Sequence, residues 1–474
     1  MIPSDQHQFS GLAAAIRSGQ LSAVQASTQC LERIARRDGV LRAFIAVDGQ
    51  AALRQAQLCD AAAQAGRWMG PLHGVSLAVK DLFQRCDRTT TAGSTVYPQP
   101  AAVDALVITR LQQAGAVLLG TLNLDEFAAG GTGMNPHFGR CCNPWDLERI
   151  TGGSSSGSAV AVAAGLVPAS LGSDTGGSAR VPAAYCGVTA IKPSYGLVSL
   201  DGVFPRAPPF DSVSPMGRSV EDCQTLLTVM AGPRVTFADA LPTLASALAK
   251  AGRLRVGIAL AQFADAVDAP LMACLEDAAL VLGRAVAGSL NVQLSDLDLM
   301  TALHQAVVKS EAARIHGEVL RTRAGEISLA ARGAIETGLF LDPSLACRAL
   351  AVRAAILEHF LATAFAHADV LLLPVTMSVA PRAQDVSQAS ASDIVAVFAQ
   401  SGRACRFVNY LGLPALSLPC GFVDGLPVGL QLVGRPNREE ELFAVGRAYQ
   451  QMTDFHLRRP AAAGDAGATP TAKD

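Results

Sequence analysis

The chain has 474 residues, with 38 basic and 40 acidic side chains for a formal net charge of -2, and it is 50% hydrophobic and 16% charged. That much apolar material suits a large buried core and excludes a disordered chain. A charge so near zero gives no electrostatic footprint for nucleic acid or an anionic membrane. The 11 Cys are too few for a disulfide scaffold, and neither Cys141-Cys142 nor any other pair makes a zinc pattern. The first residues lack the basic and apolar regions of a signal peptide. The longest apolar stretch, 159–169, is too short for a membrane span. A reduced, cytoplasmic protein without membrane or nucleic-acid contacts is the expectation.

Apolar positions at helical steps predict a helix over 9–37 and a second over 48–66. The period then changes: Val75, Leu77 and Val79 alternate with Ser76, Ala78 and Lys80, which predicts a strand. A helix over 103–115 leads into a buried strand over 115–120. Residues 130–158 read as loop. A helix opens at Ser158 and ends at Gly165, a strand covers 166–172, and 172–178 is loop again. Helical patterns follow at 219–231, 240–252, 271–285, 299–324 and 344–367, with strands at 254–259, 370–373, 415–418 and 429–433. The tail, 461–474, is mostly Ala, Gly, Thr and Pro and is expected to be disordered. The alternation argues an α/β protein with a mixed sheet covered by helices on both faces, in one domain over 1–460 with 219–367 as a helical peripheral region.

The chemistry concentrates in 151–178, which holds seven Gly and seven Ser. A helix and an apolar strand interrupt the segment, so a flexible linker does not fit. A P-loop needs a Lys after its last Gly, and none follows here. Gly153-Ser-Ser-Ser-Gly157 fits Gly-x-Ser-x-Gly, which would make Ser155 a hydrolase nucleophile. That motif should follow a strand, and charged, turn-like residues precede it. It would also need a downstream His base, and His304, His316, His359, His367 and His456 read as structural or surface residues.

A Ser nucleophile without His calls for another base. Only five of the 38 basic residues are Lys, so the chain uses Arg for ordinary surface charge. Lys80 ends an apolar strand, where loss of hydration would favour a neutral amine able to act as a base. An ion pair with Asp81 is its plain structural reading. Lys192, which precedes a Pro, reads as structural.

Gly152-Gly-Ser-Ser-Ser-Gly-Ser158, the run from Gly172 through Asp174-Thr-Gly-Gly-Ser178 to Gly187, and Lys192-Pro-Ser-Tyr-Gly196 resemble the amidase signature. The resemblance extends to residues 74–81, 123–127, 143–146, 412–421 and 425–431, and spans about 10–450. It implies an α/β/α sandwich with a large mixed twisted sheet, and a Ser–cis-Ser–Lys triad. Carried over, Ser178 is the nucleophile, Ser154 the bridging cis-serine and Lys80 the base. The N–H groups of Thr175, Gly176, Gly177 and Ser178 form the oxyanion hole, and no metal or cofactor takes part. Ser155, Ser156, Ser173 and Asp174 are expected to support the site, Arg180 to pair with Asp174, and Gly131, Met134, Phe210 and Asp211 to contact a small-molecule amide.

A free-standing amidase is the main reading, with a homodimer as a family-level expectation. The alternative is the glutaminase subunit of a glutamyl/aspartyl-tRNA amidotransferase, which would bring partner subunits. Against it, residues 336–342 lack the Tyr-rich segment typical of that glutaminase, and no acid is evident near 401–404 to meet a glutamine amino group. Arg353 could still hold a carboxylate. Further readings are an allophanate-type hydrolase and an inactive member of a larger complex.

Overall fold

The computed structural model describes residues 9–86, 88–97, 100–234, 243–387 and 400–461. Its centre is an eleven-stranded mixed sheet. The strands in chain order are β1 (Phe44–Val47), β2 (Ser76–Lys80), β3 (Val117–Leu122), β4 (Met134–Asn135), β5 (Gly139–Arg140), β6 (Ala169–Ser173), β7 (Thr189–Lys192), β8 (Val213–Gly217), β9 (Arg255–Ile258), β10 (Gly288–Asn291), β11 (Val370–Pro374), β12 (Ala415–Val423) and β13 (Leu426–Gly434). β4 and β5 form a separate small hairpin. The rest run in the order β1-β3-β2-β6-β8-β7-β12-β13-β11-β9-β10. β2 lies parallel to both β3 and β6, whereas β8, β7, β12 and β13 alternate in direction.

Both faces of the inner strands are buried, and the side-chain period of two divides their residues between two cores. Leu77, Val79, Leu118, Leu171 and Ile191 join the core on one face. Ala78, Val117, Leu119 and Ala190 join that on the other, with Val160, Ala161 and Val162 of the helix Ser156–Ala163. That helix is buried on all sides and made of small residues, so it lies close against the strands. Its Ser158 hydroxyl donates to the Leu171 carbonyl at 2.9 Å, and the Ser170 hydroxyl returns a bond to the Ser158 carbonyl at 2.8 Å. Polar side chains buried at this depth are thereby satisfied.

The expected helix over 9–37 is two helices, Phe9–Arg17 and Ala23–Leu41. Gly19 at φ 75° breaks the first, and Ser22 starts the second with a capping box to Gln25. The pattern over 344–367 likewise divides at Val352 into Pro343–Ala351 and Arg353–Ala364. Region 219–367 carries strands β9 and β10 of the main sheet as well as helices. The short strands β1, β7, β8 and β10 and the helix Arg180–Cys186 lack a periodic signature and stand outside the expected elements. The tail expectation falls, except for residue 461, outside the described residues. Among these, no helix is long and apolar enough to cross a membrane.

Candidate active site

β2 and β6 are parallel neighbours in register, with Val79 opposite Leu171, so they end at the same edge of the sheet. Lys80 is the last residue of β2 and Ser173 the last of β6. Ligands of open α/β sheets gather at such carboxyl ends. Alternation puts Lys80 on the Ala78 face, towards the helix Ser156–Ala163 and the serine-rich turn before it. In that turn the Gly153–Ser154 peptide is cis. The Lys80 side chain is fully buried, and its Nζ lies 2.8 Å from Ser154 Oγ, 2.9 Å from Ser173 Oγ and 3.1 Å from Ser155 Oγ.

These contacts fix a proton inventory. The Ser155 hydroxyl already donates to the Ser173 carbonyl at 3.0 Å, so it accepts from Lys80. A neutral amine has two hydrogens and one lone pair. Of three surrounding hydroxyls it can donate to two and must receive from the third. Ser154 or Ser173 is therefore the hydroxyl whose proton can face the lone pair. Burial lowers the Lys80 pKa to about 7, against the opposing attraction of Asp125, Asp174 and Asp211.

Asp125, which sequence reasoning did not single out, is the first of these carboxylates. Its Oδ1 accepts from the Gly133 N–H at 3.0 Å, while its Oδ2 is buried without a hydrogen-bond partner. A Cβ at position 153 would stand 1.8 Å from that oxygen, so only Gly lets the carboxylate sit beside the cis peptide. Burial raises the Asp125 pKa to about 6, against the pull of Lys80.

The second loop, 174–180, is fastened from within. Asp174 and Arg180 form a fully buried ion pair at 2.9 Å. Asp174 also accepts from the N–H groups of Gly177 at 2.9 Å and Ala179 at 3.1 Å, and from Asn409 at 2.9 Å. Burial alone would raise the Asp174 pKa, but the Arg180 guanidinium holds it well below the usual carboxylate range. Arg180 in turn reaches Gln431 on β13 at 2.9 Å. One expectation needs correcting: Asp174 takes the Gly177 N–H, so this group is not free to bind an oxyanion. Gly177, at φ 113°, instead supplies a conformation that other residues rarely adopt. Thr175, Gly176 and Ser178 remain as candidate donors.

Ser178 is 8% exposed, and its carbonyl accepts the Ser155 N–H at 3.0 Å, so the two serine-bearing loops run side by side. At the front of its loop, the Thr175 hydroxyl donates to Asp211 Oδ1 at 2.6 Å. Asp211 also accepts the N–H groups of Arg206 at 2.9 Å and Ala207 at 3.1 Å. Its carboxylate, expected at the substrate, is thus engaged by the protein. The Thr175 carbonyl accepts from His304 Nε2 at 2.8 Å, and the His304 ring stacks on Phe210 at 4.8 Å. In the sequence His304 reads as an ordinary helical residue, because nothing local marks it.

Gly131 is buried and Met134 half-buried, on the loop that also supplies Gly133 to Asp125. Ser156 donates to the Asn123 carbonyl at 3.4 Å. Lys192 ends β7 and donates to the Pro193 carbonyl at 2.7 Å. Arg353 is held by the rings of Tyr195 and Phe210, at 5.0 and 5.5 Å, and by the Pro209 carbonyl at 3.2 Å.

The chain with this buried lysine, which reaches a serine-rich turn at the carboxyl edge of the mixed sheet, is an amide-hydrolysing enzyme. The chain is a member of the Amidase family, whose sequence profile matches residues 25–443. The A subunit of the glutamyl-tRNA(Gln) amidotransferase of Azoarcus sp. (strain BH72) is 39% identical over 95% of this chain and 99% of its own length. Among solved structures, one described in a report of a vestigial protein complex and the origins of an s-triazine catabolic enzyme has a TM-score of 0.87 at 32% identity, over 96% of this chain and 100% of that chain. The native peptide amidase from Stenotrophomonas maltophilia has a TM-score of 0.81 at 29% identity, over 97% and 99%.

Proposed function

We propose that the chain hydrolyses a carboxylic acid amide through an acyl-enzyme on Ser178. The observation that carries this reading is the buried Lys80 amine, held 2.8 Å from the Ser154 hydroxyl with its pKa lowered to about 7. Neutral Lys80 takes the Ser154 proton, and Ser154 takes that of Ser178 as the Ser178 oxygen bonds to the carbonyl carbon. The N–H groups of Thr175, Gly176 and Ser178 receive the oxyanion, each such donor being worth about 3–4 kcal/mol in other hydrolases. The tetrahedral intermediate collapses, the C–N bond breaks, and the proton held by Lys80 passes through Ser154 to the leaving nitrogen. Water then attacks the ester by the same relay and frees Ser178. Asp125 and Asp174 offset the charge that Lys80 carries in between.

For the physiological setting, the curated relatives favour the glutaminase component of a tRNA-dependent amidotransferase over a free-standing amidase. They match this chain almost end to end at 35–39% identity, against 29% for the peptide amidase. On this reading glutamine is the amide donor, and partner subunits complete the enzyme. The test is hydrolysis of an amide panel that includes glutamine, by the chain alone and with any co-purified subunits. Ser178→Ala should abolish turnover, and a near-normal rate in that variant would end the acyl-enzyme reading. Glutamine turnover that appears only with a partner supports the amidotransferase reading. Efficient release of ammonia from simple amides by the chain alone supports the free-standing enzyme.

A further inference from the structure

The loop from Phe204 to Asp211 and the helix Leu297–Arg323 meet beside Thr175, where they bury polar atoms the mechanism above does not use. Arg206 is 8% exposed, and its Nη1 is buried without a hydrogen-bond partner. Asp211, the nearby acid, is occupied by Thr175 and two backbone N–H groups and forms no ion pair with Arg206 among the described residues. His316 is fully buried, and its Nδ1 lies 3.2 Å from the Tyr97 hydroxyl. With that hydroxyl donating, the ring hydrogen sits on Nε2, which is also buried and unpartnered. His304 donates through Nε2 to Thr175, so its orphaned Nδ1 is an acceptor.

Aromatic rings wall this corner. Phe127 stacks on His316 at 4.3 Å, Phe204 at 5.9 Å, and Phe210 covers His304. The two histidines are twelve residues apart on one helix, or about 18 Å along its axis. The Arg206 charge bears on both rings. A buried guanidinium with an unused N–H is expensive unless something negative arrives to meet it. Burial keeps both imidazoles neutral, helped by Arg206 and, at His304, by Arg406, with pKa values lowered to about 3, so they add no competing charge.

We propose that Arg206, with the orphaned His316 Nε2 as a second donor, binds a carboxylate at the far end of the substrate's acyl chain, so that the amides preferred are ω-amides of dicarboxylic acids. The placement on the acyl side rests on the acyl-enzyme reading above. The leaving nitrogen must face Ser154, which protonates it, and on this proposal the acyl substituent runs past Thr175 and His304, which are hydrogen-bonded to each other, towards Arg206. A planar guanidinium suits a carboxylate better than an ammonium does. His304 Nδ1, along that path, accepts an N–H of substrates that carry one.

The test compares glutaramate with pentanamide, its uncharged counterpart, in wild type, Arg206→Met and Arg206→Lys, each checked for an unaltered fold by circular dichroism. Loss of one charge-assisted hydrogen bond should lower the glutaramate-to-pentanamide ratio of kcat/KM about ten- to a hundredfold in Arg206→Met, mostly through the KM of glutaramate. Arg206→Lys should recover part of it. Calorimetric titration with glutarate gives a readout that needs no turnover: wild type should bind it and Arg206→Met should not. Equal losses on both amides in Arg206→Met, or glutarate binding that survives the substitution, would overturn the assignment. Arg206-dependent glutarate binding by a protein that hydrolyses no amide would leave it standing and sink the acyl-enzyme reading instead.

Discussion

Lys80 is a base only when uncharged, and its pKa is lowered to about 7 chiefly by burial. The sign of the pH dependence follows. With an uncharged amide, kcat/KM should rise about tenfold per pH unit below that value and level off above it. Lys80→Arg should be inactive throughout, because a guanidinium keeps its proton. The neighbouring carboxylate tunes this limb. Asp125 favours the ammonium and so opposes burial. Asp125→Asn removes that attraction, and the rising limb should move to lower pH. A limb that stays in place would show that the carboxylate does not act on the amine. Of these two residues only Lys80 is legible in the sequence, as a rare Lys closing an alternating apolar run. Asp125 sits in a stretch with no period of its own, and its importance arises from the approach of Gly153 across the fold. Arg206 and His304 are hidden for the same reason: each looks ordinary among its chain neighbours and becomes unusual only through what the fold places around it.

At the level of elements, two loops are held to one sheet edge, and their fastening can be tested separately from the chemistry. Gly177→Ala would force a φ of 113° on a residue with a Cβ and press that atom to 2.8 Å from the Cys405 Cβ. The backbone strain is about 1–3 kcal/mol. The expected outcome is a properly folded protein with a much reduced kcat, seen by comparing steady-state kinetics with thermal melting. Removing the charge of Arg180 instead, as in Arg180→Met, leaves the Asp174 carboxylate buried without the cation it pairs with. That change should cost about 3–5 kcal/mol in a denaturant titration. The elements themselves divide by length and regularity. β2 can be read from alternation alone, and the helix Ser156–Ala163 from its small apolar run. β7 has only four residues, and β8 carries Pro215 within a five-residue strand, so neither has a pattern long enough to stand out. Ser22 and Gln25 do carry the capping signature that splits the first predicted helix.

Across the whole molecule, residues far apart in the chain converge on the loop 174–180. Gln431 on β13 accepts from Arg180 and donates to the Pro374 carbonyl at 2.9 Å and the Ala404 carbonyl at 2.8 Å. Gln431→Leu should therefore lose about 1–3 kcal/mol through unsatisfied buried groups, and should slow turnover although it lies outside the chemistry. Unfolding and kinetics on the same preparation check both. The α/β class can be read from the alternation of elements, because that signal accumulates over hundreds of residues. The eleven-strand order cannot, since β13 pairs with both β12 and β11, and β11 lies a long connection away in the chain. The enclosure of the Lys80 amine has a practical corollary. Dryness is what keeps that amine uncharged, so a breach too small to disturb the sheet would hydrate the ammonium form, raise the pKa and silence the enzyme. In graded urea, catalysis should fade while far-ultraviolet ellipticity stays at its native value, making turnover an early alarm for solvent entry.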